Sequence, residues 1–171
     1  MFLGFLLLFP LLGQAANPAP ASLPGASARA ASAAPADPAA GFAQARALID
    51  HGKFDEGVAQ LRQLQARDPK MKGLDREFGL AYYKHGDFMT AAQYLQPALQ
   101  ENPNDGEATQ LLGLAYYFSG RPAQAVPLLE KVNSWYPSAN VDASYVLGIC
   151  YIQLHNYDQA RRAFEIGRAH V

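Results

Sequence analysis

Residues 78–103 read FGLAYYKHGDFMTAAQYLQPALQENP, and residues 112–137 read LGLAYYFSGRPAQAVPLLEKVNSWYP. Laid over one another, the two stretches share a Gly-Leu-Ala-Tyr-Tyr block, a glycine seven residues after the first, an alanine at Ala91 and Ala125, a leucine at Leu95 and Leu129, and a closing proline. The register extends in both directions. Pro69, Pro103 and Pro137 are spaced by 34 residues, and small residues fall at Ala45, Gly79, Gly113 and Gly148, and again at Gly57, Ala91, Ala125 and Ala160. Large residues keep the same phase at Leu48, Tyr82, Tyr116 and Tyr151, and at Leu61, Leu95, Leu129 and Phe164. Five sets in one register mark an internal repeat, in which each unit buries its apolar face only by stacking on its neighbours.

Within a unit, apolar residues recur at three and four, as in Phe78, Ala81 and Tyr82 and then Ala91, Ala92, Leu95 and Leu99, which predicts two amphipathic helices. Gly52, Gly86 and Gly120 stand between them, where a left-handed residue ends one helix, and Asp87 or Asn156 is placed to cap the next. Pro122 fits a first helical turn, and Asn104 with Glu107 has the spacing of a capping box. Gly79 and Ala91 are small where two helix backbones must approach. Pro97 and Pro127 fall inside second helices, where each removes a backbone hydrogen bond and some bending is expected.

Phe78-Gly79-x-x-Tyr82 with Ala91, Leu95, Ala98 and Pro103, and Leu112-Gly113-x-x-Tyr116 with Ala125, Leu129, Val132 and Pro137, resemble the tetratricopeptide-repeat signature. Leu147-Gly148-x-x-Tyr151 with Ala160 and Phe164 opens another copy one residue late, after an insertion. The first copy is weaker, with Gln44-Ala45-x-x-Leu48 and Gly57 where alanine is expected. The resemblance covers residues 38–164. It implies an all-α fold, a right-handed α-solenoid of antiparallel helical hairpins, with three full repeats (38–71, 72–105, 106–139) and a partial fourth (141–164).

Outside the array, Met1–Leu12 is almost wholly apolar and Gly13-Gln14-Ala15 puts small residues three and one before a cleavage point, so residues 1–15 resemble a secretory signal peptide. No Lys or Arg precedes the run, which implies a misplaced start or missing upstream residues. The run is shorter than the roughly 20 residues a membrane helix needs, so no permanent membrane anchor is expected. A periplasmic or secreted location follows. Residues 16–40 are dominated by Ala, Pro and Ser, a composition that cannot offset its ordering entropy, and read as a disordered linker before an array over 41–164. The last seven residues, Glu165–Val171, read as the translation of a sequencing-library adapter (GAG ATC GGA AGA GCA CAC GTC), so native sequence is expected to end near Phe164. The fourth hairpin then lacks part of its second helix, and the segment from Tyr157 onward is expected to fray.

The 14 basic and 15 acidic residues are interspersed, leaving a net charge of −1 and no basic surface of the kind nucleic acid requires. His51 and His85 recur at the repeat period, but a histidine in a helix's last turn complements the dipole, and equivalent points on neighbouring repeats are too far apart to share an ion. Cys150, among Leu147, Ile149 and Tyr151, reads as a small buried hydrophobe. No nucleophile elbow, phosphate loop or zinc-helix pattern occurs. The sequence therefore predicts no enzyme, no cofactor and no metal.

The resemblance supplies a binding surface instead. In the family, first helices line a concave groove that receives a partner polypeptide. By register the groove residues are Phe42, Arg46 and Ile49; Arg76, Leu80, Tyr83 and Lys84; Gln110, Leu114, Tyr117 and Phe118; and Tyr145, Ile149 and Ile152. The core-facing places are taken by Tyr82, Tyr116 and Tyr151, so this second stripe is expected to have no internal partner. The subfamily that clamps C-terminal carboxylates uses Lys, Asn and Arg where this chain has Phe42, Glu77, Glu107 and Leu111. That mode is rejected, and an apolar or mildly acidic protein segment is expected. Two alternatives stand beside it: an accessory repeat region of a longer envelope enzyme or secretion component, and self-association.

Overall fold

Eight helices form in chain order: α1 (Pro38–Asp50), α2 (Phe54–Arg67), α3 (Leu74–His85), α4 (Phe88–Glu101), α5 (Gly106–Phe118), α6 (Pro122–Trp135), α7 (Val141–Gln153) and α8 (Tyr157–Arg168). The computed structural model describes residues 37–136 and 141–168. The apolar leader, nearly all of the Ala/Pro segment and Pro137 lie outside the described residues.

Helix starts follow local chemistry. Asp37 accepts from the Ala39 N–H at 3.0 Å with Pro38 in the first turn, and Asp87 accepts from the Thr90 N–H at 3.0 Å. The helix therefore begins inside the segment expected to be linker, at residue 38 rather than 41. The expected Asn104/Glu107 capping box does not form: Asp105 is the cap of α5, its Oδ1 accepting from the Ala108 N–H at 3.0 Å. Asp105 stands one residue nearer the helix than Asn104 and reaches the free N–H groups directly.

Helix ends repeat one device four times. Gly52, Gly86 and Gly120 take φ of +76°, +88° and +74°, and the next residue's N–H returns to the carbonyl of Leu48, Tyr82 and Tyr116 at 2.9, 3.0 and 2.8 Å. In the fourth hairpin His155 takes this place at φ +59°, and Asn156 bonds back to Tyr151 at 2.8 Å. His155 stands 35 residues after Gly120, the same step as from Tyr116 to Tyr151, so the fourth repeat places a side chain where the others have glycine, at a cost of about 1 kcal/mol.

Packing within each hairpin depends on the small residues. A Cβ on Gly79 would lie 2.5 Å from Leu95 Cγ, and one on Gly113 2.9 Å from Leu129 Cδ2. Gly57, which departs from the expected alanine, lies against Ile49, whose Cγ1 would be 2.6 Å from an added Cβ. Pro97 and Pro127 sit inside α4 and α6, which continue on both sides of them. Helix α8 forms from Tyr157 and continues past Phe164 to Arg168, packed on α7 with the Phe164 ring against Gly148. The sequence boundary at 164 is not a structural one.

Each hairpin's two helices pack together, and each second helix packs on the first helix of the next hairpin. First helices of successive hairpins also touch, α1 with α3, α3 with α5 and α5 with α7, whereas among the described residues second helices do not touch one another. The stack therefore curves with α1, α3, α5 and α7 on its inner side. The core falls into two clusters, one around Leu61, Leu64 and Phe78 and one from Ala91 through Ala163, and Tyr82 packs against both.

Candidate interaction groove

The inner face is built from the sides of α1, α3, α5 and α7 that do not face their own second helices. Along it, Leu80 and Leu114 are buried; Phe42, Arg46, Arg76, Tyr83, Gln110, Tyr117 and Ile149 are half-buried; and Lys84, Phe118, Tyr145 and Ile152 are exposed. Leu80 and Leu114 are thus floor, whereas Ile49, expected on this face by register, is a core residue whose Cγ1 lies against Gly57 of its own second helix.

Over the first two hairpins this face is ionic. Arg46 donates Nε–H to Glu77 Oε2 at 2.6 Å and pairs through Nη2 with Oε1, on a carboxylate only 3% exposed. Arg76 reaches the same carboxylate at 3.1 Å, Asp105 Oδ2 at 2.8 Å, and Glu107. Lys84 pairs with Asp50 one repeat back. The hydrogen bond that Arg46 donates to Glu77 raises the pKa of Arg46, and the one that Asp50 accepts from Lys84 lowers the pKa of Asp50. Every groove cation of the first two hairpins is therefore already engaged by an acid of this chain. The expected preference for an acidic partner segment loses its basis.

Further along the face the chemistry changes. Phe118 is 51% exposed, Tyr145 59% and Ile152 45%, above the floor formed by Leu114 and Ile149. The expectation that the second stripe has no internal partner is corrected at Tyr83: its ring lies 5.5 Å from Phe88 and 6.4 Å from Phe118, and Phe88 stacks on Phe118 at 4.6 Å. Phe88 opens the second helix and folds back over the hairpin turn, a contact that first-helix register alone does not show. Tyr116 and Tyr151 are buried as expected, with the Tyr116 hydroxyl accepting from Gln96 and the Tyr151 hydroxyl donating to Glu130 on preceding second helices. Burial and Glu130 push the Tyr151 phenol up, and burial pushes the Cys150 thiol up to about 11, which leaves the thiol un-ionised and inert near neutrality. Among the described residues no cluster of His, Cys, Asp or Glu is arranged to hold a metal.

A family model described as "Tetratricopeptide repeat" matches residues 42–73, and one described as "Anaphase-promoting complex, cyclosome, subunit 3" matches residues 84–166. MamA of strain AMB-1 superposes with a TM-score of 0.68 at 25% identity, over 76% of this chain and 70% of that one. The chain is a tetratricopeptide-repeat protein. MamA of Desulfovibrio magneticus RS-1 shares the same fold, with a TM-score of 0.70 at 19% identity over 78% of this chain and 75% of that one. Among curated relatives, the TPR repeat-containing protein YvcD of Bacillus subtilis is 24% identical over 115 residues, and cellulose synthase operon protein C of Escherichia coli K12 is 35% identical over 120. These alignments take in 67% and 63% of this chain but only 24% and 10% of the relatives, so the tetratricopeptide chain spans a small part of each relative's length. The all-α solenoid expected from the repeat register is the fold observed. No helix among the described residues is long and apolar enough to cross a membrane.

Proposed function

We propose that this protein is a non-catalytic scaffold that holds a partner polypeptide along the inner face of its stack. The observation that carries this reading is the row of exposed apolar side chains, Phe118, Tyr145 and Ile152, on a face whose floor is already filled. Rings left in water on a curved, otherwise packed surface are the usual anchors of a protein interface. The partner segment is apolar where it crosses α5 and α7, and uncharged or weakly basic where it crosses α1 and α3, because Arg46, Arg76 and Lys84 are neutralised from within. Phe118→Ser and Tyr145→Ser remove anchors together with their ring contacts to Phe88 and Phe164 at the edge of the core. A drop in melting temperature that leaves both variants folded at the temperature of the assay, together with loss of the polypeptide that co-purifies with the parent protein, is expected; retention of that polypeptide by both variants places binding elsewhere.

The export reading is part of the proposal: an apolar leader ending in Gly13-Gln14-Ala15 supports cleavage after Ala15 and work outside the cytoplasm. N-terminal sequencing of protein from bacterial envelope fractions tests it, and an intact Met1 on cytoplasmic protein overturns it. A second reading, an accessory repeat region within a longer envelope protein, is favoured by the small share of YvcD and of cellulose synthase operon protein C that the match covers.

A further inference from the structure

The ion pairs of the inner face do not balance. Lys84 and Asp50 cancel one another across the first two hairpins, but Arg46 and Arg76 bring two positive charges to three carboxylates, those of Glu77, Asp105 and Glu107. One negative charge is left over. Glu77 is 3% exposed and Asp105, which also caps α5, is 15% exposed, whereas the Glu107 side chain is 51% exposed. The excess is therefore open to solvent at Glu107, in the first turn of α5. An incoming cation gains there, and an incoming anion is repelled.

Glu107 and Phe118 stand eleven residues apart on α5, and at about 100° per residue that separation returns to within about 20° of the same direction. One stripe of a single helix thus runs from an open carboxylate, over the buried Leu114, to the half-exposed ring of Phe118 on which Phe88 stacks. At about 1.5 Å per helical residue the two ends are about 16 Å apart, which an extended chain at about 3.3 Å per residue covers in about five residues. Charge and apolarity are separated along the stripe, so an occupant has to match both. Resting on the scaffold reading of the groove, we propose that its occupant is an extended polypeptide segment that sets a lysine or arginine against Glu107 and an aromatic or large aliphatic residue, about five positions away, against Phe118.

The test titrates the full chain with three blocked peptides in nitrogen–proton NMR spectra: Ac-Lys-Ser-Ser-Ser-Ser-Trp-NH2, its counterpart Ac-Glu-Ser-Ser-Ser-Ser-Trp-NH2, and the misspaced Ac-Ser-Ser-Ser-Ser-Lys-Trp-NH2. The first is expected to shift the main-chain amides of Glu107 and Phe118 together, to bind more tightly than the misspaced peptide, and to bind about fivefold more tightly than the glutamate peptide, an advantage that high salt removes. Glu107→Gln takes away the excess charge at nearly constant volume and should bring the lysine and glutamate peptides to equal affinity, while Phe118→Ser should weaken both. Equal binding of those two peptides by the parent chain, abolished by Phe118→Ser, would overturn the charge assignment and leave the groove standing. A lysine preference that survives Glu107→Gln would overturn the place given to the cation, and equal binding of the misspaced peptide would overturn the extended form. Peptides that leave every inner-face amide unmoved would overturn the inference and the scaffold reading together. The comparison of peptides on the parent chain decides the matter even if a variant does not fold.

Discussion

Arg76 donates Nε–H to Asp105 Oδ2 at 2.8 Å while Oδ1 of the same carboxylate caps α5 through the Ala108 N–H at 3.0 Å. One side chain thus ends a loop, starts a helix and ties hairpin 2 to hairpin 3. Asp105→Ala should destabilise by about 1–2 kcal/mol, the cost of a lost cap with a partly exposed ion pair beside it. Asp105→Asn keeps the cap and loses only the charge, so it should recover most of that loss in a denaturant melt.

Glu77 sits between two guanidiniums at 3% exposure, and Glu77→Gln keeps its volume while removing its charge. Because Arg46 and Arg76 retain 40% and 23% side-chain exposure, both can rehydrate, and the expected loss is about 1–2 kcal/mol rather than the larger cost of stranding a fully buried ion. Chemical denaturation at low and high salt checks it. A loss equal at both ionic strengths would show that packing, and not charge, is the role of Glu77.

Asp87 gives the protein an acid-sensitive hairpin. Its hydrogen bonds from Thr90 lower its pKa in the folded state. A carboxylate depressed on folding contributes stability above its unfolded pKa of about 4, and that contribution is lost as pH falls through the folded value. The melting temperature should therefore fall between pH 5 and pH 3, and Asp87→Asn, which still caps, should flatten that part of the profile. An unchanged slope in the variant would remove Asp87 from the account.

Tyr82 is half-buried yet packs against both core clusters, stacking on Tyr94 at 5.5 Å and meeting Phe54 edge-on at 5.4 Å. Tyr82→Ala should cost about 3 kcal/mol, at the lower end of aromatic truncations, and should uncouple hairpin 1 from the rest. Hydrogen exchange in α1 and α2 would then rise well above that in α5 and α6. Tyr83→Ala, which removes a half-buried ring set beside Phe88 and Phe118, should cost about 1 kcal/mol.

The fold was legible because a repeat presents the same evidence several times. Gly79, Gly113 and Gly148 each lie under a large second-helix residue, and that pairing is written in the 34-residue step. The groove was legible only as a set of positions. Register places Arg46 and Arg76 on the inner face, but their engagement by Glu77 and Asp105 depends on side chains 31 and 29 residues away, across hairpins. Phe88 was missed because it belongs to a second helix and reaches the first-helix stripe over the turn. Asp105 was passed over for Asn104 because cap position is fixed by where the chain turns, a matter of one residue that spacing leaves open.

Site-specific photo-crosslinking tests the scaffold reading most directly. A benzophenone amino acid is placed at Tyr145 on the inner face and, separately, at Gln93 on an exposed second-helix surface, in the native bacterial host. The account predicts a discrete adduct with one polypeptide from Tyr145 and none from Gln93. An adduct from Gln93 alone, or none from Tyr145 while the protein remains folded, would contradict it.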